Sequence, residues 1–185
     1  MKYILASASP RRKDLLKEVV DVFEVVPANT DEVLNLNNGI YKAIEDIALE
    51  KALDISVSYP NDITIGADTV VYCDNEVMLK PVDFEDAFRI LKKLSVSKQS
   101  VITGVAICKD TCCKTFYEET VIEFQNMDDE WIAHYINTNK PFDKSGSYGI
   151  QEIDSKYIKS ILGDITNVIG LPVERLKVEL KNYEE

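Results

Sequence analysis

The 185-residue chain carries a net charge of −11, and 45% of its residues are apolar. That acidity argues against a polynucleotide-binding surface, which needs a basic stripe, but it leaves room for one small anion held by a local group of cations. No apolar run reaches membrane-spanning length before charge interrupts it. The apolar start is too short for a signal peptide, so the expectation is a cytoplasmic protein with no membrane partner.

The first apolar run, Tyr3 to Ala6, predicts a buried strand, and helical spacing follows to about Val19. Ser9 suits the N-cap of that helix and Pro10 its first position. "FEVVPA" predicts a second strand and "NTDEVLNLNNG" a long polar loop. Tyr41 to Ser56 has apolar residues at helical intervals. "DITIGADTVVYC" predicts a strand interrupted at Gly66-Ala67-Asp68, and "DNE" turns it back toward "VMLKP". Asp83 to Leu94 predicts an amphipathic helix. "QSVITGVAICK" and "TFYEETVIEF" read as paired strands joined near Cys112. "MDDEWIAHYINT" predicts a helix with Asp128 and Asp129 in its first turn. A glycine-containing loop, "NKPFDKSGSYGIQ", comes next. The last stretch holds a turn, a short strand and a terminal helix. Interleaved strands and helices indicate an α/β fold around a mixed sheet with flanking helices, and the chain is expected to form a single domain over residues 1–185.

Four stretches carry residues suited to chemistry. In the first, Ser7, Ser9, Arg11 and Arg12 sit at a helix start together with Lys13. Cations there oppose the helix dipole. A phosphate cradle of hydroxyls, free N–H groups and two guanidinium forks explains them; a capped helix with solvated basic residues is the plainer alternative. In the second, Asp68 and Thr69 follow Gly66-Ala67 inside an apolar run. A buried carboxylate needs a partner, so Asp68 either holds a metal or activates water, or else it caps a bend or pairs with a core lysine. The third is Lys80-Pro81, where a solvated lysine is the usual outcome. In the fourth, Asp143 and Lys144 precede Tyr148 and Gln151, a ring able to stack on a base and an amide able to bond its edge.

Neither common nucleotide fingerprint is present, since the chain has no GxxxxGK[ST] and no GxGxxG. The four cysteines lack a CxxC, and the one histidine, His134, is distant from them in sequence. They read as buried or turn thiols rather than zinc ligands, and His134 as a surface residue of a helix.

Taken together and in order, "LASASPRRKDLL", Asp31-Glu32, "EKA" from Glu50, "GADTVV", "KP", "ITGVAI", "DKSGSYGIQ" and "NVIGLPV" resemble the Maf-type nucleoside triphosphate pyrophosphatases, also called septum-formation inhibitor-like proteins. The segments span Leu5 to Val173. The resemblance implies a mixed sheet in two lobes around a nucleotide-binding cleft. It implies hydrolysis of a nucleoside triphosphate to the monophosphate and pyrophosphate, with a divalent cation such as Mg²⁺ or Mn²⁺ as cofactor. "SPRR" with "GADT" is similar to the branch acting on dTTP and UTP, with modified pyrimidine nucleotides as further candidates. Asp68 matches the family's proton acceptor, and Arg11, Thr69 and Gln151 match positions tied to substrate preference.

On this reading Arg11, Arg12, Lys51, Lys80 and Lys144 bring positive charge to the triphosphate. Ser7 and Ser9 join them in substrate binding, and Asp68 with Glu32 holds the metal. Gln99, Lys140 and Glu152 depart from the family pattern, which more often shows histidine, glutamate and glycine there. A competing reading makes the chain a non-catalytic nucleotide-binding regulator of cell division. A homodimer is plausible for a small enzyme, though no interface is readable.

Overall fold

The computed structural model describes residues 1–184. Its strands are β1 (Tyr3–Leu5), β2 (Phe23–Val25), β3 (Ile63–Cys73), β4 (Glu76–Met78), β5 (Lys98–Lys109), β6 (Cys112–Phe124) and β7 (Ile158–Leu162). Its α-helices are α1 (Pro10–Leu16), α2 (Ile40–Ser56), α3 (Phe84–Leu94), α4 (Asp129–Asn139), α5 (Ile165–Ile169) and α6 (Val173–Glu184). The strands form one mixed sheet in the order β2-β1-β3-β5-β6-β7, with β4 beside β3. β1 lies parallel to β2 and to β3, and Leu5 stands opposite both Val25 and Ile65. β4 runs antiparallel to β3, and β7 antiparallel to β6.

The chain forms two compact units. The first comprises Met1–Thr69, Thr103–Glu118 and the described residues from Thr166 on; the second comprises Val70–Ile102 and Glu119–Ile165. In the first unit Leu5, Leu16, Ile65, Ile107 and Leu176 form part of one buried cluster. Each such side chain contributes about 1.5–3 kcal/mol on burial. In the second unit Ile90, Leu91, Phe124, Ile132 and Tyr148 are buried, and α3 is capped by the Asp83 carboxylate, which accepts the Asp86 N–H at 2.9 Å.

Glycine decides how close α2 comes to the sheet. A Cβ on Gly66 would lie 2.3 Å from the Ala48 carbonyl oxygen, and one on Gly104 2.4 Å from that of Ile44. The helix answers with small residues, Ala48 and Ala52, both fully buried. Side chains two apart on a strand share a face, so the helix that covers Gly66 also reaches Asp68.

This corrects one expectation. Gly66-Ala67-Asp68 does not interrupt the strand: β3 runs unbroken from Ile63 to Cys73, because Gly66 makes room for a helix rather than a bend. Three smaller differences accompany it. Asp128 is the N-cap of α4 and not part of its first turn, accepting the Trp131 N–H. A short helix, α5, forms within the last stretch. Cys108 and Cys113, read as thiols, are joined in a disulfide across the turn between β5 and β6, while Cys73 and Cys112 remain free.

Gly66→Ala is expected to lower stability by about 3 kcal/mol, the upper end of the cost of overpacking a close-packed contact. Urea unfolding followed by circular dichroism checks it, and an unchanged midpoint would contradict the close approach.

Candidate active site

The segment after β1 folds back on itself before α1 begins. Ser7 is buried, and its hydroxyl oxygen accepts from the Ser9 N–H at 3.2 Å and from Arg12 Nη1 at 3.4 Å. Ser9 caps the helix, accepting the Arg12 N–H at 3.4 Å. The Arg12 side chain is tied further: Nε donates to the Gly170 carbonyl at 2.8 Å and Nη2 to the Thr69 hydroxyl at 3.0 Å. Its fork therefore braces three segments while placing a charge among them. Burial lowers the guanidinium pKa from its ordinary value; the Asp68 charge opposes that shift, the Arg11 charge adds to it, and Glu32 opposes it. The Arg11 side chain is partly exposed.

Lys51 comes from α2 and is almost wholly buried, its side chain 9% exposed. Its ammonium lies 2.6 Å from Asp68 Oδ1 and 2.8 Å from Glu32 Oε1. Asp68 is 13% exposed and Glu32 41%. A buried ammonium without a partner would cost several kcal/mol, and these two carboxylates supply the partners. The structure thus realises the core-lysine pairing considered for Asp68, in the same cluster as Arg12.

Thr69 carries the cluster inward. Its hydroxyl meets that of Thr103 at 2.9 Å, and Thr103 donates to the Asn167 carbonyl at 2.9 Å. Thr103, Asn167 and Gly170 were not singled out in sequence, although they lie in "ITGVAI" and "NVIGLPV". Two of the three act through backbone carbonyls, which residue type does not reveal.

The remaining sequence-derived candidates belong to the second unit. Lys80 is exposed just before buried Pro81, and Gln151 is exposed in a 3₁₀ turn. Lys144, 11% exposed, lies 3.0 Å from Asp143 and 3.5 Å from Glu152. Glu152 also accepts the Tyr135 hydroxyl at 2.6 Å, and that same hydroxyl oxygen accepts the Gly149 N–H at 3.0 Å. Tyr148 does not serve as a stacking platform. It is 6% exposed, its ring packs edge-on against Phe124, and its hydroxyl reaches Gln99 at 3.4 Å. An aromatic ring in a glycine-rich loop filled the core instead. Lys140 ends α4 in a left-handed conformation, and His134 is exposed as expected.

Among the described residues no group of three or more histidine, cysteine, aspartate or glutamate side chains is placed to hold a metal. Asp68 and Glu32 are two hard oxygen donors converging on one cation. That set fits Mg²⁺ or Mn²⁺ arriving with its nucleotide, since such ions take one or two carboxylates and complete their shell with phosphates and water.

In fold the chain resembles a HAM1 protein from Coxiella burnetii, with a TM-score of 0.53 at 12% identity over 98% of this chain and 99% of that one. The chain belongs to the Maf-like protein family, which it matches over residues 2–183. It is 46% identical over 176 residues to the dTTP/UTP pyrophosphatase of Thermosipho africanus, covering 95% of this chain and 90% of that one. It is 42% identical over 188 residues to the enzyme of the same name from Clostridium beijerinckii, covering the full length of both.

Lys51→Met should cost about 3 kcal/mol, because it leaves Asp68 withdrawn from water without its ammonium. Adding Asp68→Asn should recover part of that loss. A double-mutant cycle by chemical denaturation checks the coupling, and purely additive losses would contradict it.

Proposed function

We propose that the chain is a nucleoside triphosphate pyrophosphatase acting on dTTP and UTP, and on modified pyrimidine nucleotides that keep the same base edge. Water and the triphosphate give the monophosphate and pyrophosphate. The observation that carries this reading is full-length likeness to proteins of that name, and the charged cluster of the first unit supports it.

The chemistry follows from charge. The triphosphate carries about four negative charges, and more charge develops on the leaving pyrophosphate as the bond breaks. Arg11, Arg12 and Lys51 are assigned to that charge, with the Ser7 hydroxyl as a hydrogen donor to a phosphate oxygen. Ser9 holds the turn that presents them. A divalent cation held by Glu32, with Asp68 as its other candidate ligand, would neutralise phosphate charge when bound; metal holding and proton acceptance compete for the one Asp68 carboxylate.

Asp68 is the assigned proton acceptor. Lys51 holds its Oδ1, and Oδ2 is the oxygen assigned to the proton of the attacking water. Water adds to the α-phosphorus, its proton passes to Asp68, and the bond to the bridging oxygen breaks with pyrophosphate as leaving group. Thr69 is assigned to the pyrimidine edge. Lys80, Lys144 and Gln151 of the second unit keep the substrate-binding roles implied by the resemblance, each open to test by single substitution.

Pyrophosphate release from a panel of nucleoside triphosphates, with and without Mg²⁺, tests the reading: dTTP and UTP should be cut fastest. Nucleotides bound and returned intact would indicate a regulator instead. Asp68→Asn should reduce kcat by at least about 10³-fold with nucleotide affinity nearly unchanged, as expected when a proton acceptor is removed. An active Asp68→Asn enzyme would remove Asp68 from that role. Arg11→Ala should raise KM for UTP by about tenfold or more, the scale of one charge-assisted hydrogen bond, and narrow the difference between bases. Steady-state kinetics on the same panel checks both effects.

A further inference from the structure

The hydrogen bonds around Thr69 settle which way its hydroxyl points. A carbonyl oxygen only accepts, so Thr103 must give its single hydroxyl hydrogen to Asn167 across 2.9 Å. In the 2.9 Å contact between the two threonine hydroxyls, Thr103 is then the acceptor and Thr69 the donor. The one hydrogen of Thr69 is committed inward. One of its two lone pairs takes the Arg12 Nη2–H at 3.0 Å. A single lone pair remains to Thr69, which is partly exposed, whereas Thr103 is fully buried. The Gly170 carbonyl accepts Arg12 Nε, and a Cβ on Gly170 would lie 3.5 Å from that nitrogen and 3.8 Å from Thr69 Oγ1, so this residue stands beside the pair.

We infer that Thr103 sets base selectivity by fixing the Thr69 hydroxyl as an acceptor, which reads the imide N3–H of uracil and thymine and refuses the bare N3 of cytosine. This rests on the assignment of Thr69 to the base. An acceptor has nothing to offer a fully ionised phosphate, whose oxygens are acceptors too. The donors that UTP and dTTP share are the N3–H and the 3′-hydroxyl. Cytosine presents a lone pair at N3, and two facing lone pairs leave both groups without the hydrogen bond that uracil and thymine make. Thr103 touches no substrate in this scheme and is a positioning residue. Its selectivity is supplied by a buried hydroxyl and a backbone carbonyl 64 residues apart in sequence.

The test measures kcat/KM for UTP and CTP with the wild type, Thr103→Val and Thr103→Ser. Thr103→Val keeps the side-chain shape but frees the Thr69 hydrogen to turn outward toward cytosine N3. The CTP-to-UTP ratio should rise by about tenfold, the worth of one well-formed hydrogen bond. Thr103→Ser retains both bonds and should keep the wild-type ratio. N3-methyluridine triphosphate, offered to the wild type, should be cut at least about tenfold less efficiently than UTP, while 3′-deoxyuridine triphosphate should be cut like UTP.

A folded Thr103→Val enzyme with an unchanged ratio overturns the inference. Should that variant fail to fold, efficient cleavage of N3-methyluridine triphosphate by the wild type overturns it equally. Thr69→Val separates the two layers. If it leaves the ratio unchanged, Thr69 does not meet the base and the parent reading fails. If it shifts the ratio while Thr103→Val does not, only the fixed polarity fails.

Discussion

One buried ammonium governs the surroundings of the candidate site. Lys51 is withdrawn from water and held by Asp68 and Glu32 at 2.6 and 2.8 Å. Charges so placed are tolerated only when paired, so the helix carrying Lys51 and the strand carrying Asp68 must meet at short range. Gly66 and Gly104 provide that range by letting the α2 backbone lie directly on β3 and β5. Packing and electrostatics thus constrain the same contact: widen it and the ion pair opens; remove the ion pair and a charge is stranded.

Arg12 supplies the second brace and explains the basic start of α1. Arg11 and Arg12 in the first turn oppose the helix dipole, whereas Lys13, expected to add to them, falls in the last turn of this short helix; a visiting anion is one reason to accept the two arginines. The structure adds another. The Arg12 guanidinium bonds the Gly170 carbonyl, Ser7 and Thr69, joining the N-terminal turn, β3 and the segment before α6. Part of the unfavourable charge is therefore offset within the protein. What results is a locally cationic cluster, Arg11, Arg12 and Lys51 against two carboxylates, on a chain whose net charge is −11. A polyphosphate meets local attraction there on a chain that is negative as a whole.

Periodicity and turn chemistry made most of the architecture legible. The cap at Ser9, the helix ending at Ser56 and the turn before β4 all follow from local residue types. Reading failed where a residue answers to a distant partner. Gly66 looked like a break in a strand because the helix that needs its missing side chain lies 14 to 18 residues earlier. Tyr148 looked available to a base because nothing local reveals that Phe124 covers its ring. Cys108 and Cys113 face each other only once the turn between their strands has formed. Charged candidates such as Lys51 and Asp68 were visible by type, but pairing with a core lysine was one of four roles left open for Asp68. The carbonyls of Asn167 and Gly170 left no trace in residue identity at all.

In the proposed reaction, water directed by Asp68 attacks the α-phosphorus, and pyrophosphate is the leaving group. Hydrolysis of UTP in water enriched in oxygen-18, with mass spectrometry of both products after a single turnover, tests it most directly. One labelled oxygen should appear in the monophosphate and none in the pyrophosphate. Label found in the pyrophosphate would place the attack on the β-phosphorus and contradict the role given to this site.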